Sequence, residues 1–344
     1  MTPREVVTRA VEFRRPGRLP VRGYGEASDF TGVGYERIKP PQAGDDPLVD
    51  QWLCRWGKTD QPNMGQVKGH PLDDLAGMKD FPWPDGDDPR RYENVPQRLA
   101  ELDANDDERD KYVTTGIFMI LWERMHSLHG FENCMLDLMD DRAAIHELAD
   151  RIVAYDLAVI RNMHRLCGDA IQGFSFTEDW GTQIDLHVSP ELWRRFFFPR
   201  YRRIFDAIHE AGWHVWMHSC GKINKAIAGL IEAGCDVINM QQPRTNGIAE
   251  IGGQFAGRIC FETLCDIQKT LPEGDRERIT EEAEALLRNW GTPEGGFVLG
   301  DYGDHTAIGT APETKQFMLD TFRRIDPYAG GGGSGERKRG QVHF

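Results

Sequence analysis

Nowhere does this chain hold the roughly 18–20 consecutive apolar residues that a membrane-spanning helix requires, which excludes such a span. The opening stretch MTPREVVTRAVEFRRPGRLP has no apolar core of the secretory kind, so no export signal is expected there. Cysteine is scarce and unordered. Its seven residues are an odd number without framework spacing, which points to buried free thiols and a reducing cytoplasm. Positive charge is in deficit, 41 Lys and Arg against 55 Asp and Glu; the net charge of −14 argues against a nucleic-acid surface. Phosphate loops are missing too: no G-x-G-x-x-G follows a strand pattern, and no G-x-x-x-x-G-K-[ST] occurs. With 344 residues and 40% hydrophobic content, the chain can bury one large α/β barrel or two ordinary domains.

What is present begins with a short amphipathic helix over residues 1–15 and a first strand near Leu19–Tyr24, with Glu26 and Asp29 just beyond it. Residues 40–110 are rich in Pro, Gly, Asp and Trp, without helical period until Pro96–Leu102. They read as an irregular acidic insertion with its aromatics pinned to the body, or as a lid or homodimer contact. Beyond Tyr112 the pattern is regular. Strands are expected at Tyr112–Phe118, Ala170–Phe176, Trp213–Met217, Cys235–Met240, Arg258–Glu262 and Gly296–Gly300. Helices fall between them, including Leu121–Leu128, Asp141–Leu166, a helix from Ser189 that kinks at Pro199, Lys222–Ala233 and Asp275–Trp290. Thr310–Glu313 reads as a capping box for the last helix, and 329–344 as a flexible Gly-rich tail. Repeated strand–helix alternation means parallel strands with crossover helices. Without a phosphate loop, the expectation is a (β/α)8 TIM barrel spanning 1–328 as a single domain with an N-terminal insertion.

Barrel chemistry collects at the C-terminal strand ends. Those ends carry Glu178 and Asp179, His218 and Cys220, Asn239 and Gln241, Glu262, then Asp301, Asp304 and His305. His218 and Cys220 stand two residues apart where a strand becomes a loop, so imidazole and thiolate can turn toward one point, as zinc requires. Taken alone, such a pair is more often a core histidine beside an inert thiol. Glu178 and Asp179 have an equally plain reading as helix caps or ion-pair partners.

Four stretches add to this: FTEDWGTQ (Phe176–Gln183), SPELWRRFFFPRYRRIFDAIHEAG (Ser189–Gly212), HSCG (His218–Gly221) and DIQKTLPEGDRE (Asp266–Glu277). Together the chain resembles the uroporphyrinogen decarboxylase superfamily over about Tyr112–Ile325, most of all its corrinoid-linked methyltransferase branch of the methylcobalamin:coenzyme M type. The resemblance implies a (β/α)8 barrel in which His-x-Cys supplies two zinc ligands and a cysteine after the last strand the third. Zinc would activate a small-molecule acceptor, and a corrinoid protein or free methylcobalamin would carry the methyl group. His218 and Cys220 match the first two ligand positions. After Phe297-Val298-Leu299 the chain reads GDYGDH, so Asp301, Asp304 or His305 would have to replace the third, unless Glu178 or Glu262 reaches inward. Glu178, Asp179 and His305 are the expected catalytic groups, and Asn239, Gln241 and Glu262 the expected cofactor contacts. The decarboxylase branch implies a different activity, a metal-free lyase acting on a tetrapyrrole or other carboxylated substrate through Asp179 and His305.

Overall fold

The computed structural model describes residues 1–23, 25–59 and 65–329, and of Glu26 only the backbone. The expectations for Tyr24, the Glu26 side chain and the tail from 330 onward therefore lie outside the described residues. Nine strands form among those described: β1 (Phe30–Gly32), β2 (Arg55–Gly57), β3 (Gln66–Gly69), β4 (Tyr112–Ile117), β5 (Gly173–Thr177), β6 (His214–His218), β7 (Val237–Asn239), β8 (Cys260–Thr263) and β9 (Phe297–Leu299). Seven of them make one curled, all-parallel sheet in the order β1-β4-β5-β6-β7-β8-β9, while β2 and β3 pair as a separate antiparallel ribbon. Long helices cover the outer face, as alternation of apolar strands with amphipathic helices dictates.

Two expectations change at the open edge. The eighth strand at Leu19–Tyr24 is reduced to one parallel bridge, Val21 to Leu299, and the edge strand is β1 instead. Arg22 donates its N–H to the Leu299 carbonyl, and Asp29 donates to the Val21 carbonyl, so this segment touches both margins of the sheet without becoming a ladder. Asp29 explains why. Its carboxylate accepts from the Arg18 guanidinium and from the Val21 N–H, which bends the chain into a knot rather than a strand.

The inner face is filled at its lower end. Helix α1 (Pro3–Val11) inserts Val7 and Val11 among Phe30, Tyr112, Trp216, Val237, Cys260 and Val298, all buried. Phe30 and Trp216 meet edge to face at 5.3 Å, closing the floor with aromatic bodies. The insertion packs outside the sheet, against α5 (Ala143–Cys167): Trp52 stands edge-on to Tyr155 at 4.9 Å, and Gln51 joins Arg91 to the Tyr155 hydroxyl. Within it, α2 (Val95–Ala104) is the expected helix.

Local readings differ in three places. The helix after β4 is two helices, α3 (Trp122–His129) and α4 (Phe131–Met139), broken at Gly130, which adopts φ 87°. The kink expected at Pro199 is a widened π turn over Trp193–Phe197, after which Phe198–Glu210 continues as α-helix. The expected capping box at Thr310 does not form: Ala311 is the N-cap, and the buried Thr310 hydroxyl has no partner. Ser189 does cap its helix, accepting the Leu192 N–H. All seven cysteines are free thiols, and only Cys220 is partly exposed. Among the described residues no helix is long and apolar enough to cross a membrane.

Candidate metal centre and active site

Register sets the site. Thr177, His218, Asn239 and Glu262 are paired neighbours across β5, β6, β7 and β8, so they form one level row. Above the aromatic floor and around this row opens a cavity of about 1370 Å³, lined by Arg22, Glu123, Asp179, His218, Cys220, Asn239, Gln241, Glu262, Asp301 and Asp304, among others. The loops after β5 and β6 are stitched together over it. Trp180 donates its N–H to the Ser219 hydroxyl, and Lys222 donates to the Thr182 carbonyl. This approach needs glycine: a Cβ on Gly221, at φ +76°, would lie 2.1 Å from the Gly181 oxygen.

The stitching brings Asp179, His218 and Cys220 to one point, their ligand-type atoms all within 4.8 Å of one another. His218 Nε2 is 3.3 Å from Cys220 Sγ and 3.5 Å from Asp179 Oδ1. Asp179 Oδ1 is fixed by the Cys220 N–H at 2.8 Å. On the far side of the imidazole, Nδ1 lies 2.6 Å from Asn239 Oδ1. An amide oxygen only accepts, so Nδ1 carries a proton and Nε2 is the ring nitrogen turned toward the cluster. Burial first, and then the Asp179 and Glu123 carboxylates, push the Cys220 thiol well above its ordinary range. Only a positive charge placed at the cluster would release its thiolate. One nitrogen, one sulfur and one oxygen converging on a cavity wall, with the histidine tautomer already set, fit a zinc ion that keeps a position open for substrate.

Asp301 and Asp304, the remaining expected ligands, line the same cavity but stand outside this cluster. Asp301 is engaged by His305 Nε2 at 2.5 Å and by Lys315 Nζ at 2.7 Å. Burial would raise its pKa, yet those two partners outweigh it and hold Asp301 well below the usual carboxylate range. Asp304 is exposed and accepts the Ala307 N–H of a 3-10 turn. The third member of the cluster is thus Asp179, not Asp301 or Asp304, and His305 is buried against Asp301 without lining the cavity.

Glu178 and Asp179 separate completely. Glu178 is fully buried behind the sheet, where Oε1 accepts the N–H groups of Leu121 and Trp122 and the Tyr201 hydroxyl, and Oε2 accepts the Glu123 N–H. It holds the N-terminus of α3 rather than a substrate. Burial pushes its pKa up to about 7, against these four hydrogen bonds, and since every partner is a donor the carboxylate form is the one the surroundings fit. Asn239 lines the cavity and orients His218. Gln241 lines the cavity and donates to the Asp301 carbonyl at 3.3 Å. Glu262 pairs with Arg22 at 2.9 Å, and that guanidinium also reaches Ser175 while lying over Phe30 and Trp216. Sequence reasoning missed Arg22 and Glu123. Glu123 sits in the first turn of α3, its side chain lining the cavity and its Oε2 buried without a partner.

On α3, His126 lies edge-on to Trp122 at 5.1 Å. Burial, and then His187, His70 and Arg124, lower its pKa to about 4. A histidine depressed in the folded state adds stability above its unfolded value and loses it as pH falls. The loss is expected to begin near pH 6.5 and to reach about 2 kcal/mol by about pH 5. Urea unfolding of wild type and His126→Gln at both acidities checks this, and the variant should show the flatter dependence.

Comparison with known proteins places this geometry. No curated protein matches the chain in sequence. Among solved structures, a methyltransferase from Methanosarcina mazei superposes with a TM-score of 0.65 at 15% identity, covering 94% of this chain and 99% of the other. A D-psicose 3-epimerase crystallised in the presence of D-fructose gives a TM-score of 0.40 at 12% identity, over 67% of this chain and 81% of that one. The IOLI protein with a bound zinc atom gives 0.39 at 10% identity, over 67% and 80%. The family model described as uroporphyrinogen decarboxylase (URO-D) matches residues 113–325, which carry β5 to β9, all of β4 but its first residue, and every member of the cluster, and the chain belongs to that family.

Proposed function

We propose that this protein is a zinc-dependent methyltransferase of the cytoplasm that moves a methyl group between a corrinoid and a small molecule. The observation that carries the reading is the convergence of Asp179, His218 and Cys220 on one cavity wall, with Asn239 fixing the imidazole. Fold supports it: the parallel sheet with its single Val21 bridge reads as the family's eight-stranded barrel with one strand reduced to a residue. Bound zinc would supply a Lewis acid for the small molecule's heteroatom. The chain's own groups do the rest. Asp179, His218 and Cys220 would hold the ion, and Asn239 would hold the imidazole with Nε2 turned toward it. Phe118 and Met217, above the Trp216 floor, would keep water from the transferring methyl group. A corrinoid protein or free methylcobalamin would approach at the open mouth.

The rival reading, a metal-free lyase, needs His305 at the cavity, and His305 is buried against Asp301 instead. The test is methyl exchange between methylcobalamin and a panel of thiols and phenols by zinc-loaded protein. Turnover by wild type, and its loss from a His218→Ala, Cys220→Ala double variant, is the expected result. Undiminished turnover in the variant would sink the reading.

A further inference from the structure

His218 and Cys220 are held in place by different means. His218 is the last residue of β6 and is paired in the sheet with Thr177 and Asn239, so the ladder fixes its backbone. Cys220 lies two residues past the strand end, where no ladder reaches. From Ser219 to Ile223, every backbone N–H is instead taken by the strand ends on either side. Cys220 donates to Asp179 and Lys222 to Thr182, both after β5; Ser219 donates to Asn239, Gly221 to Gln242 and Ile223 to Asn246, at and after β7.

Two of those acceptors are side chains of one short segment, Gln242 and the helical turn Pro243–Asn246 that follows it. Gln242 Oε1 accepts the Gly221 N–H at 3.2 Å. Asn246 Oδ1 accepts the Ile223 N–H at 3.0 Å, while its Nδ2 donates to the Gly221 carbonyl at 3.0 Å and to the Gln242 carbonyl at 3.2 Å. Gly221, the neighbour of Cys220, thus has both of its backbone groups held by side chains of this segment. Asn246 is 1% exposed, so water cannot replace it. Its amide is also fixed in orientation, because turning it over would set N–H against N–H and oxygen against two carbonyls. An apolar side chain there would leave the Ile223 N–H and the Gly221 carbonyl buried and unpaired.

We propose that Asn246 is a positioning residue of the metal centre, one that places the Cys220 sulfur by holding the Gly221 and Ile223 peptides without itself reaching the cavity. This rests on the metal reading above and goes beyond it, since it ties a ligand's place to a residue outside both the cluster and the cavity lining. Zinc–sulfur bonding at about 2.3 Å leaves little slack for a loop that shifts.

The probes are zinc and cobalt(II) alone, offered to full-length wild type, Asn246→Ala and Asn224→Ala. Asn224 is the control for ordinary structural support. Its Nδ2 donates to the Asn246 carbonyl at 2.9 Å and to Glu250 at 3.2 Å, so its loss removes two hydrogen bonds beside Asn246 and none from the 219–223 loop. Asn246→Ala should lose zinc affinity by roughly tenfold, the lower end of what support of a metal ligand is worth. Its cobalt(II) complex should show displaced visible absorption bands. Asn224→Ala should match wild type in both. Gln242→Ala, which frees the Gly221 N–H and Gln183, should displace the same bands, and it serves if Asn246→Ala does not fold. Wild-type affinity and bands in Asn246→Ala, or equal changes in Asn224→Ala, would overturn the proposal. Amide hydrogen exchange of the metal-free proteins reads the anchor separately. Gly221 and Ile223 should exchange faster in Asn246→Ala while the helix Asn224–Ala233 keeps its protection, and unchanged exchange also overturns the proposal. Wild type that binds neither ion would be the failure of the metal reading, and would take the ligand role of Cys220 with it, with the exchange still deciding whether Asn246 anchors the loop.

Discussion

Offered zinc and freed of excess by gel filtration, the protein is expected to retain one ion per chain, and Cys220→Ala is expected to retain none. The reasoning is local. Removing Cys220 deletes the softest ligand and leaves His218 and Asp179 with solvent, too few fixed donors for a closed protein site. Asp179→Asn should bind zinc more weakly, because it removes an anionic ligand whose position the Cys220 N–H fixes. Asn239→Ala should weaken binding by roughly 10–100-fold, since it frees the imidazole to rotate and to change tautomer. Asp301→Asn is the discriminating control. Asp301 already serves His305 and Lys315, so its replacement should leave the zinc content at the wild-type level. Elemental mass spectrometry on the four variants decides it. Loss of zinc from Asp301→Asn with retention in Asp179→Asn would reverse the ligand assignment.

The second large effect is on stability. Glu178→Ala is expected to cost roughly 3–5 kcal/mol, because three backbone N–H groups and one tyrosine hydroxyl lose a buried acceptor that water cannot reach. For a chain of this length that corresponds to a fall in Tm of roughly 4–7 °C. Damage should spread beyond one helix. Tyr201 also accepts from the Trp180 indole at 3.0 Å, and Trp180 stacks on Trp122 at 5.4 Å, so the capped helix start, the π-turn helix and the β5 loop loosen together. Differential scanning calorimetry reads the shift. A wild-type Tm in Glu178→Ala would mean that the residue serves a substrate after all.

How far the sequence reached can be judged at these same residues. The parallel alternation was legible because apolar strands and amphipathic helices repeat with different periods from Tyr112 onward. His218 and Cys220 were legible because a strand visibly ends on them. Asp179 was legible as a functional residue but not as a partner of His218 and Cys220, although alternation held a hint: Ser175, Thr177 and Asp179 line the cavity at every second position, while Glu178 between them does not. Asp301 has partners that no local pattern announces: His305 and Lys315 reach it from the turn and helix that follow β9. Such occupancy is a tertiary fact. Glu123 left little local trace, as one acid among the buried residues Leu121, Trp122, Arg124 and Met125, and its exposure to the cavity depends on where Glu178 sets the helix. The expected first strand failed for a chemical reason, because Asp29 turns the chain back on Arg18 and Val21 before a ladder can grow.

The floor laid down by α1 makes the cavity a room with one door. Val7, Val11, Phe30 and Trp216 seal the lower end, so nothing can leave on the side opposite the entrance. A corrinoid seated across that entrance would block traffic in either direction. Were that the carrier, small molecule and carrier would have to queue: the small molecule would enter first, the carrier would dock second, and the carrier would have to depart before the product could escape. Steady-state inhibition patterns should carry that order, with the carrier trapping whatever is already inside.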